Sequence, residues 1–227
     1  MGARKGVTVA IDGPAGAGKS TVAKAVAAAL GYRLVDTGAI YRAVALLAQR
    51  RGVPFDDDAG LAPLVTALVI DFAFDQGVNH VRVHGEDVTE AIRTPEVSRG
   101  ASVVSARPVV RAGLLALQRR LAGEGGAVLE GRDIGTVVCP DAPVKFFLDA
   151  SLAERARRRQ RELAEAGRDA DYAAVLADIT VRDERDSSRD VAPLKAAPDA
   201  RHLDSTALPV DEVVRRIVEA ARAAEGS

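Results

Sequence analysis

The chain has 227 residues, of which 48% are apolar and only 4% aromatic, and its formal net charge is −1. That length allows one large domain or one domain with an inserted lobe, with a core resting on Ala, Val, Leu and Ile rather than on rings. A charge near zero removes any global electrostatic case for nucleic acid or an anionic membrane, and a single cysteine, Cys139, rules out an intramolecular disulfide or a cysteine metal site.

The start, Met1-Gly2-Ala3-Arg4-Lys5, holds no apolar signal core. No segment reaches the roughly 18 uninterrupted apolar residues of a membrane span, so a soluble, cytoplasmic protein is expected. The first apolar run, Val7 to Ile11, predicts a strand. Gly13-Pro14-Ala15-Gly16-Ala17-Gly18-Lys19-Ser20-Thr21 follows it, and an amphipathic stretch from Thr21 to Leu30 comes next. Strand, Gly-rich loop with G-x-x-x-x-G-K-[ST], and helix together make a phosphate-binding P-loop. Glycines let several N–H groups converge on one anion, and the helix aims its positive end at the same point. Lys19 supplies a cation for the β- and γ-phosphates, and Ser20 offers a hydroxyl to Mg²⁺. A bound nucleoside triphosphate is therefore expected.

A short strand at Tyr32–Val35 and a helix from about Ala39 to Arg51 come next, with Pro54, Phe55 and three aspartates as a linker. Between them, Thr37 is placed to cap the helix, and Arg42 is within reach of any anion at its start. Two short strands, Val69–Phe74 and His80–His84, flank a turn at Gly77-Val78-Asn79 and suggest an inserted small sheet within about 61–99. His80 and His84 lie two alternations apart and read as exposed strand positions rather than metal ligands.

The α/β rhythm then resumes. A helix is expected over about Pro108–Leu121, strands at Ala127–Glu130 and Val144–Leu148, and helices over about Leu152–Ala166 and Tyr172–Asp186. A last strand near Arg201–Leu203 precedes a helix from Val210 to Ala223. Helices alternating with short apolar strands imply a parallel sheet covered on both faces, with ligands beyond its carboxyl edge. Cys139, beside Val137-Val138 and Pro140, reads as small packing.

Three further clusters follow predicted strands. Glu130-Gly131-Arg132-Asp133 ends a strand with a guanidinium and a carboxylate. Arg155, Arg157, Arg158, Arg159 and Arg161 crowd one helix, which suits transient phosphate clamping or, more plainly, a solvated face. Arg182-Asp183-Glu184-Arg185-Asp186-Ser187-Ser188-Arg189 lies near a helix end and, taken alone, reads better as a surface salt-bridge network. A P-loop with arginines at other strand and helix ends suggests two phosphate groups held face to face, with an arginine-rich lid excluding water.

The chain resembles the bacterial cytidylate kinase family, nucleoside monophosphate kinases, from about Val7 to Arg222. The resemblance rests on Ile11–Ser20, Asp36–Arg42, Gly131–Thr136, Pro143–Ala150, Arg182–Arg189 and Asp204-Ser205-Thr206. It implies an α/β P-loop kinase with a parallel sheet, a core of 1–60 and 100–227 including a lid at about 152–186, and an NMP-binding lobe at 61–99. It implies transfer of the γ-phosphate of ATP to CMP or dCMP with Mg²⁺, the ion held by Ser20 and the ATP phosphates. By position, Gly13 to Thr21 would bind ATP, and Thr37, Arg42, Arg132 and Arg189 the CMP phosphate. Ser102, Arg111 and Asp133 would read cytosine, and Arg182 and Asp186 the ribose hydroxyls. Lys19, Arg132, Arg189 and the lid residues Arg157 and Arg158 would carry catalysis. Some family members have Asp where this chain has Glu130, so a metal or water role for Glu130 stays open.

Asp133 suits cytosine on chemical grounds as well, because a carboxylate accepts from the N4 amino group and repels the oxygen of uracil. Alternatives are another small-acceptor P-loop kinase, for UMP, shikimate or gluconate, and a regulatory P-loop ATPase or switch. Against a guanine switch, no Asn-Lys-x-Asp occurs, and Asn79 is the sole Asn. A nucleic-acid module is disfavoured by the near-zero charge and the lack of interleaved aromatics. A monomer acting on small molecules, without nucleic acid or membrane, is the expectation.

Overall fold

A computed structural model describes residues 6–75, 78–165 and 167–226. The predicted turn residue Gly77, the Met1–Lys5 segment and the predicted helix end at Ala166 lie outside the described residues. In chain order the elements are β1 (Thr8–Asp12), α1 (Lys19–Leu30), β2 (Arg33–Asp36), α2 (Thr37–Arg50), α3 (Asp58–Thr66), β3 (Ile70–Asp75), β4 (Val78–Val83) and β5 (Glu86–Asp87). They continue through α4 (Pro95–Val104), α5 (Pro108–Ala122), β6 (Ala127–Gly131), β7 (Val144–Asp149), α6 (Leu152–Glu165), α7 (Tyr172–Ser188), β8 (Arg201–Asp204) and α8 (Val210–Glu225). The chain divides into two compact units, Met1–Arg33 with Ala122–Ser227, and Leu34–Leu121.

The large sheet has the order β2-β6-β1-β7-β8. β1 pairs in parallel with β6 on one side and β7 on the other, so that Asp12 is level with Gly131 and with Phe147. β7 pairs in parallel with β8. Val9, Ala10, Ile11, Val128, Leu129 and Leu148 are fully enclosed, which is why these strands read as continuous apolar runs rather than alternating ones. Helices α1 and α8 pack on each other, α1 also on β6 and α8 on β7. Tyr32, just after α1, accepts a hydrogen bond from the Val7 amide at 2.9 Å and donates to Glu225 at the end of α8. The entry to β1 and the end of the C-terminal helix are thereby tied together.

The second unit joins an antiparallel sheet, β3-β4-β5, to helices α2 to α5. Ile70 faces Val83 and Phe72 faces Val81 across the first pair. Helix α2 packs on α3 and α4, and its Ile40, Ala43, Val44, Ala45 and Ala48 are fully buried. Leu114 of α5 is enclosed in the same core. Leu114→Ala is therefore expected to cost about 2–5 kcal/mol, read as a lowered midpoint in urea unfolding.

Two helices are absent from the sequence reading. The aspartates expected in a linker start α3 instead: Asp57 accepts from the Ala59 amide at 3.1 Å. Helix α4 opens with Thr94 as cap and Pro95 in the first turn, where a missing N–H costs nothing, so a pair resembling a turn is a helix start.

Candidate active site

The phosphate loop follows from β1. At Gly13 φ is +152° and a Cβ would lie 1.9 Å from the Leu148 carbonyl oxygen, so no side chain fits where the chain leaves the sheet beside β7. At Gly16 φ is +75° and a Cβ would press on the Arg155 backbone. Helix α1 starts with no side-chain cap, so its first amides and dipole are offered to an anion.

Lys19 is 6% exposed and donates from Nζ to the Pro14 carbonyl at 2.6 Å. Burial, reinforced by the Arg132 charge and only partly opposed by Glu130, lowers its pKa to about 7. Ser20 donates from Oγ to Glu130 Oε2 at 2.8 Å, and Glu130 is itself buried at the end of β6. Among the described residues no group of three or more His, Cys, Asp or Glu is arranged to hold a metal ion.

Beyond β6 the chain makes a turn, Arg132-Asp133, and then a π-helical segment, Ile134–Val138. Asp12 accepts from the amides of Ile134 at 2.8 Å and Gly135 at 2.7 Å. Burial raises its carboxyl pKa to about 6 despite those two bonds. Arg132 donates from Nε to Asp186 Oδ2 at 2.8 Å and from Nη1 to the Gly131 carbonyl at 3.2 Å. Arg189, 5% exposed in its side chain, lies with its guanidinium 3.7 Å from Asp186 Oδ1 and 3.8 Å from Asp133 Oδ1. Its Nε donates at 2.6 Å to the carbonyl of Ala192, a residue held at φ +50°. Burial alone would raise the Asp186 pKa, but Arg132, Arg182 and Arg189 together hold it below the ordinary value. The first unit thus gathers Arg132, Asp133, Arg182, Asp186 and Arg189 into one cluster. Buried arginine–carboxylate distances of this kind do not fit the surface network left open by the sequence.

The arginine-rich helix is α6, and its members divide. Arg157 is 64% exposed, with Glu154 4.0 Å away. Arg158 is committed to protein: it donates to the Ser205 carbonyl at 2.6 Å, to Ser205 Oγ at 2.9 Å and to Glu154 at 3.0 Å. Arg155 is buried, donating from Nε to the Ala150 carbonyl at 2.9 Å, from Nη1 to the Ala15 carbonyl at 3.0 Å, and to Asp183. Asp183 Oδ1 also accepts from the Ala15 amide at 3.3 Å. Arg155 and Asp183 therefore strap α6 and α7 to the phosphate loop.

In the second unit the cap of α2 is Asp36, not Thr37. The extended backbone at the end of β2 lets Asp36 Oδ1 accept from the Ala39 amide at 2.9 Å. Its Oδ2 accepts from Arg42 at 2.7 Å, while the buried Arg42 Nε has no partner among the described residues. Thr37 is buried at the first position of α2. Ser102 and Arg111, both buried, converge on Ser105: Arg111 donates to its carbonyl at 3.2 Å, and Ser105 Oγ donates to the Ser102 carbonyl at 3.1 Å. The Arg111 guanidinium also lies over the Tyr41 ring, 5.6 Å from its centre.

Asp12, Asp36, Arg155 and Asp183 are absent from the sequence-derived site. For Asp12 a signal existed, since a charge closes a strand that is otherwise apolar on both faces. For Asp183, nothing separates it from the other charges of its run.

A family model described as cytidylate kinase matches residues 9–223. A cytidylate kinase of Geobacter sulfurreducens is 53% identical over 222 residues, covering 98% of this chain and 95% of that one. A cytidylate kinase of Geobacter sp. strain M21 is 54% identical over 209 residues, covering 92% and 90%. A solved structure of an uncharacterized protein from Eubacterium ventriosum is similar with a TM-score of 0.53 at 14% identity, covering 96% of this chain and 99% of that one, a likeness of fold alone.

Proposed function

The chain belongs to the cytidylate kinase family, and from that premise we propose that it transfers the γ-phosphate of ATP to CMP or dCMP in a single in-line step. A phosphate oxygen of the acceptor bonds to the γ-phosphorus as the bond to the ADP oxygen breaks, leaving ADP and CDP or dCDP. The observation that carries this reading is a pair of cationic centres at adjacent strand ends. One is the uncapped start of α1 with buried Lys19, and the other is Arg132 with Arg189 around Asp186. Phosphoryl transfer asks mainly for alignment and charge neutralisation, and two such centres supply both.

In this reading Gly13 to Thr21 wrap the triphosphate. Thr37, Arg42, Arg132 and Arg189 hold the acceptor phosphate, and Arg182 and Asp186 the ribose. Ser102, Arg111 and Asp133 recognise cytosine, and Arg157 and Arg158 cover the ATP phosphates. Arg157 is exposed and able to swing, whereas Arg158 must first release Ser205. Ser20 Oγ and Glu130 Oε2, 2.8 Å apart, fit Mg²⁺, a hard cation that binds few protein oxygens and otherwise takes water and phosphate. The ion would neutralise charge on the β- and γ-phosphates. No single helix among the described residues is long and apolar enough to cross a membrane. The reading takes the protein as a monomer that works in the cytoplasm on small molecules.

The test is ADP release from MgATP with CMP, dCMP, UMP, AMP, GMP, shikimate, gluconate or no acceptor. Fast turnover with CMP and dCMP, weak with UMP and slow without acceptor is expected; acceptor-independent hydrolysis would instead make the protein an ATPase. Asp133→Ala is expected to cut the CMP-over-UMP preference about ten- to a hundredfold, the worth of one mismatched buried polar group. An unchanged ratio moves base reading to another residue.

A further inference from the structure

Asp12 lies in neither the P-loop motif nor the acceptor cluster, yet it touches the root of each. It is the last residue of β1, and Gly13, the first of the loop, follows it directly. Across the sheet it is level with Gly131, so the turn that carries Arg132 and Asp133 begins beside it. Both carboxylate oxygens are used, one on the Ile134 amide at 2.8 Å and the other on the Gly135 amide at 2.7 Å. The residue is 4% exposed, and a Cβ on Gly135 would sit 3.4 Å from Asp12 Oδ2 and 3.2 Å from the Lys145 side chain, so the turn packs closely beside the carboxylate.

We infer that Asp12 is a positioning residue that fixes the spacing between the triphosphate loop and the Arg132-Asp133 turn, and so the alignment of donor and acceptor phosphates. The inference rests on the phosphoryl-transfer reading above. A parallel strand pair sets the height of its two carboxyl ends but leaves the turns beyond them free to tilt. A carboxylate that grips two successive amides removes that freedom. In-line transfer is sensitive to errors of about 1 Å in reacting distance, which cost on the order of a hundredfold in rate. Asn keeps the shape of Asp12 but presents an N–H₂ to one of the two amides, so one bond is lost and the turn is held at a single point.

The experiment compares wild type, Asp12→Asn and Asp12→Glu for kcat at saturating MgATP and CMP, together with Kd for each substrate by titration. The expected result is a fall in kcat of about 10- to 100-fold in both variants, with both Kd values within about threefold of wild type. Glu keeps the charge and lengthens the arm, so it answers the question even where Asn does not fold. Wild-type kcat in a folded variant overturns the inference, and so does a loss confined to the affinity for MgATP, which would make Asp12 a support of the P-loop alone. A wild type that does not phosphorylate CMP overturns the transfer reading itself, an outcome separate from both.

Discussion

Replacing Lys19 with methionine is expected to lower turnover by about a thousandfold and to raise the thermal midpoint of the nucleotide-free protein at pH 6–7. Both follow from one buried ammonium. Burial first and the Arg132 charge second lower the Lys19 pKa to about 7 from an ordinary 10.5, although Nζ still donates to the Pro14 carbonyl. Below the folded value the protein carries a buried cation that it would shed on methionine substitution. Between about 7 and 10.5 the unfolded chain binds a proton that the folded chain lacks, so wild-type stability rises with pH across that window. The advantage of the methionine variant should shrink accordingly as pH rises from 6 to 9. Bound triphosphate reverses the balance by placing anions at the ammonium, so MgATP binding near pH 8 should draw in a proton in wild type but not in Lys19→Met. Calorimetry in buffers of different ionisation enthalpy measures that uptake. Equal uptake in the two proteins would show that Lys19 is already charged in the free state.

The parallel sheet was readable because each of its buried strands is an apolar run ending in polar punctuation, and the P-loop because glycine is demanded where Leu148 and Arg155 backbones approach. Less visible were features decided by tertiary contact. Asp36 and Thr37 are both good caps on paper, and only the extended backbone at the end of β2 selects Asp36. The run Arg182–Arg189 has the composition of a solvated face. What sets it apart is that Asp186 is enclosed with Arg132, a residue 54 positions away. Within the arginine helix, five similar letters conceal a buried strut, Arg155, a half-buried clamp on Ser205, Arg158, and an exposed arm, Arg157. Periodicity does not distinguish them, because their difference lies in what the phosphate loop and the Ser205 turn present to each.

Arg132→Ala should cost two to four orders of magnitude in kcat, and Arg132→Lys should recover little of it. The guanidinium already spends Nε on Asp186 and Nη1 on the Gly131 carbonyl, which leaves Nη2 without a protein partner among the described residues. Three nitrogens in a rigid fork let one residue be anchored to the cluster and still offer a donor to an anion. A lysine has one nitrogen for both tasks, and pairing with Asp186 would withdraw it from the phosphate. The fold should survive either change, since Arg182 and Arg189 remain to neutralise Asp186. Removing the guanidinium also lifts one of the two largest pressures on Lys19, whose pKa should rise towards its ordinary value. Arg132→Ala would then lose transfer while binding MgATP at least as well as wild type at pH 7–8. Steady-state rates with CMP, set beside direct MgATP titrations, separate the two effects. Equal losses in MgATP affinity and in turnover would place Arg132 on the donor side of the reaction instead of the acceptor side.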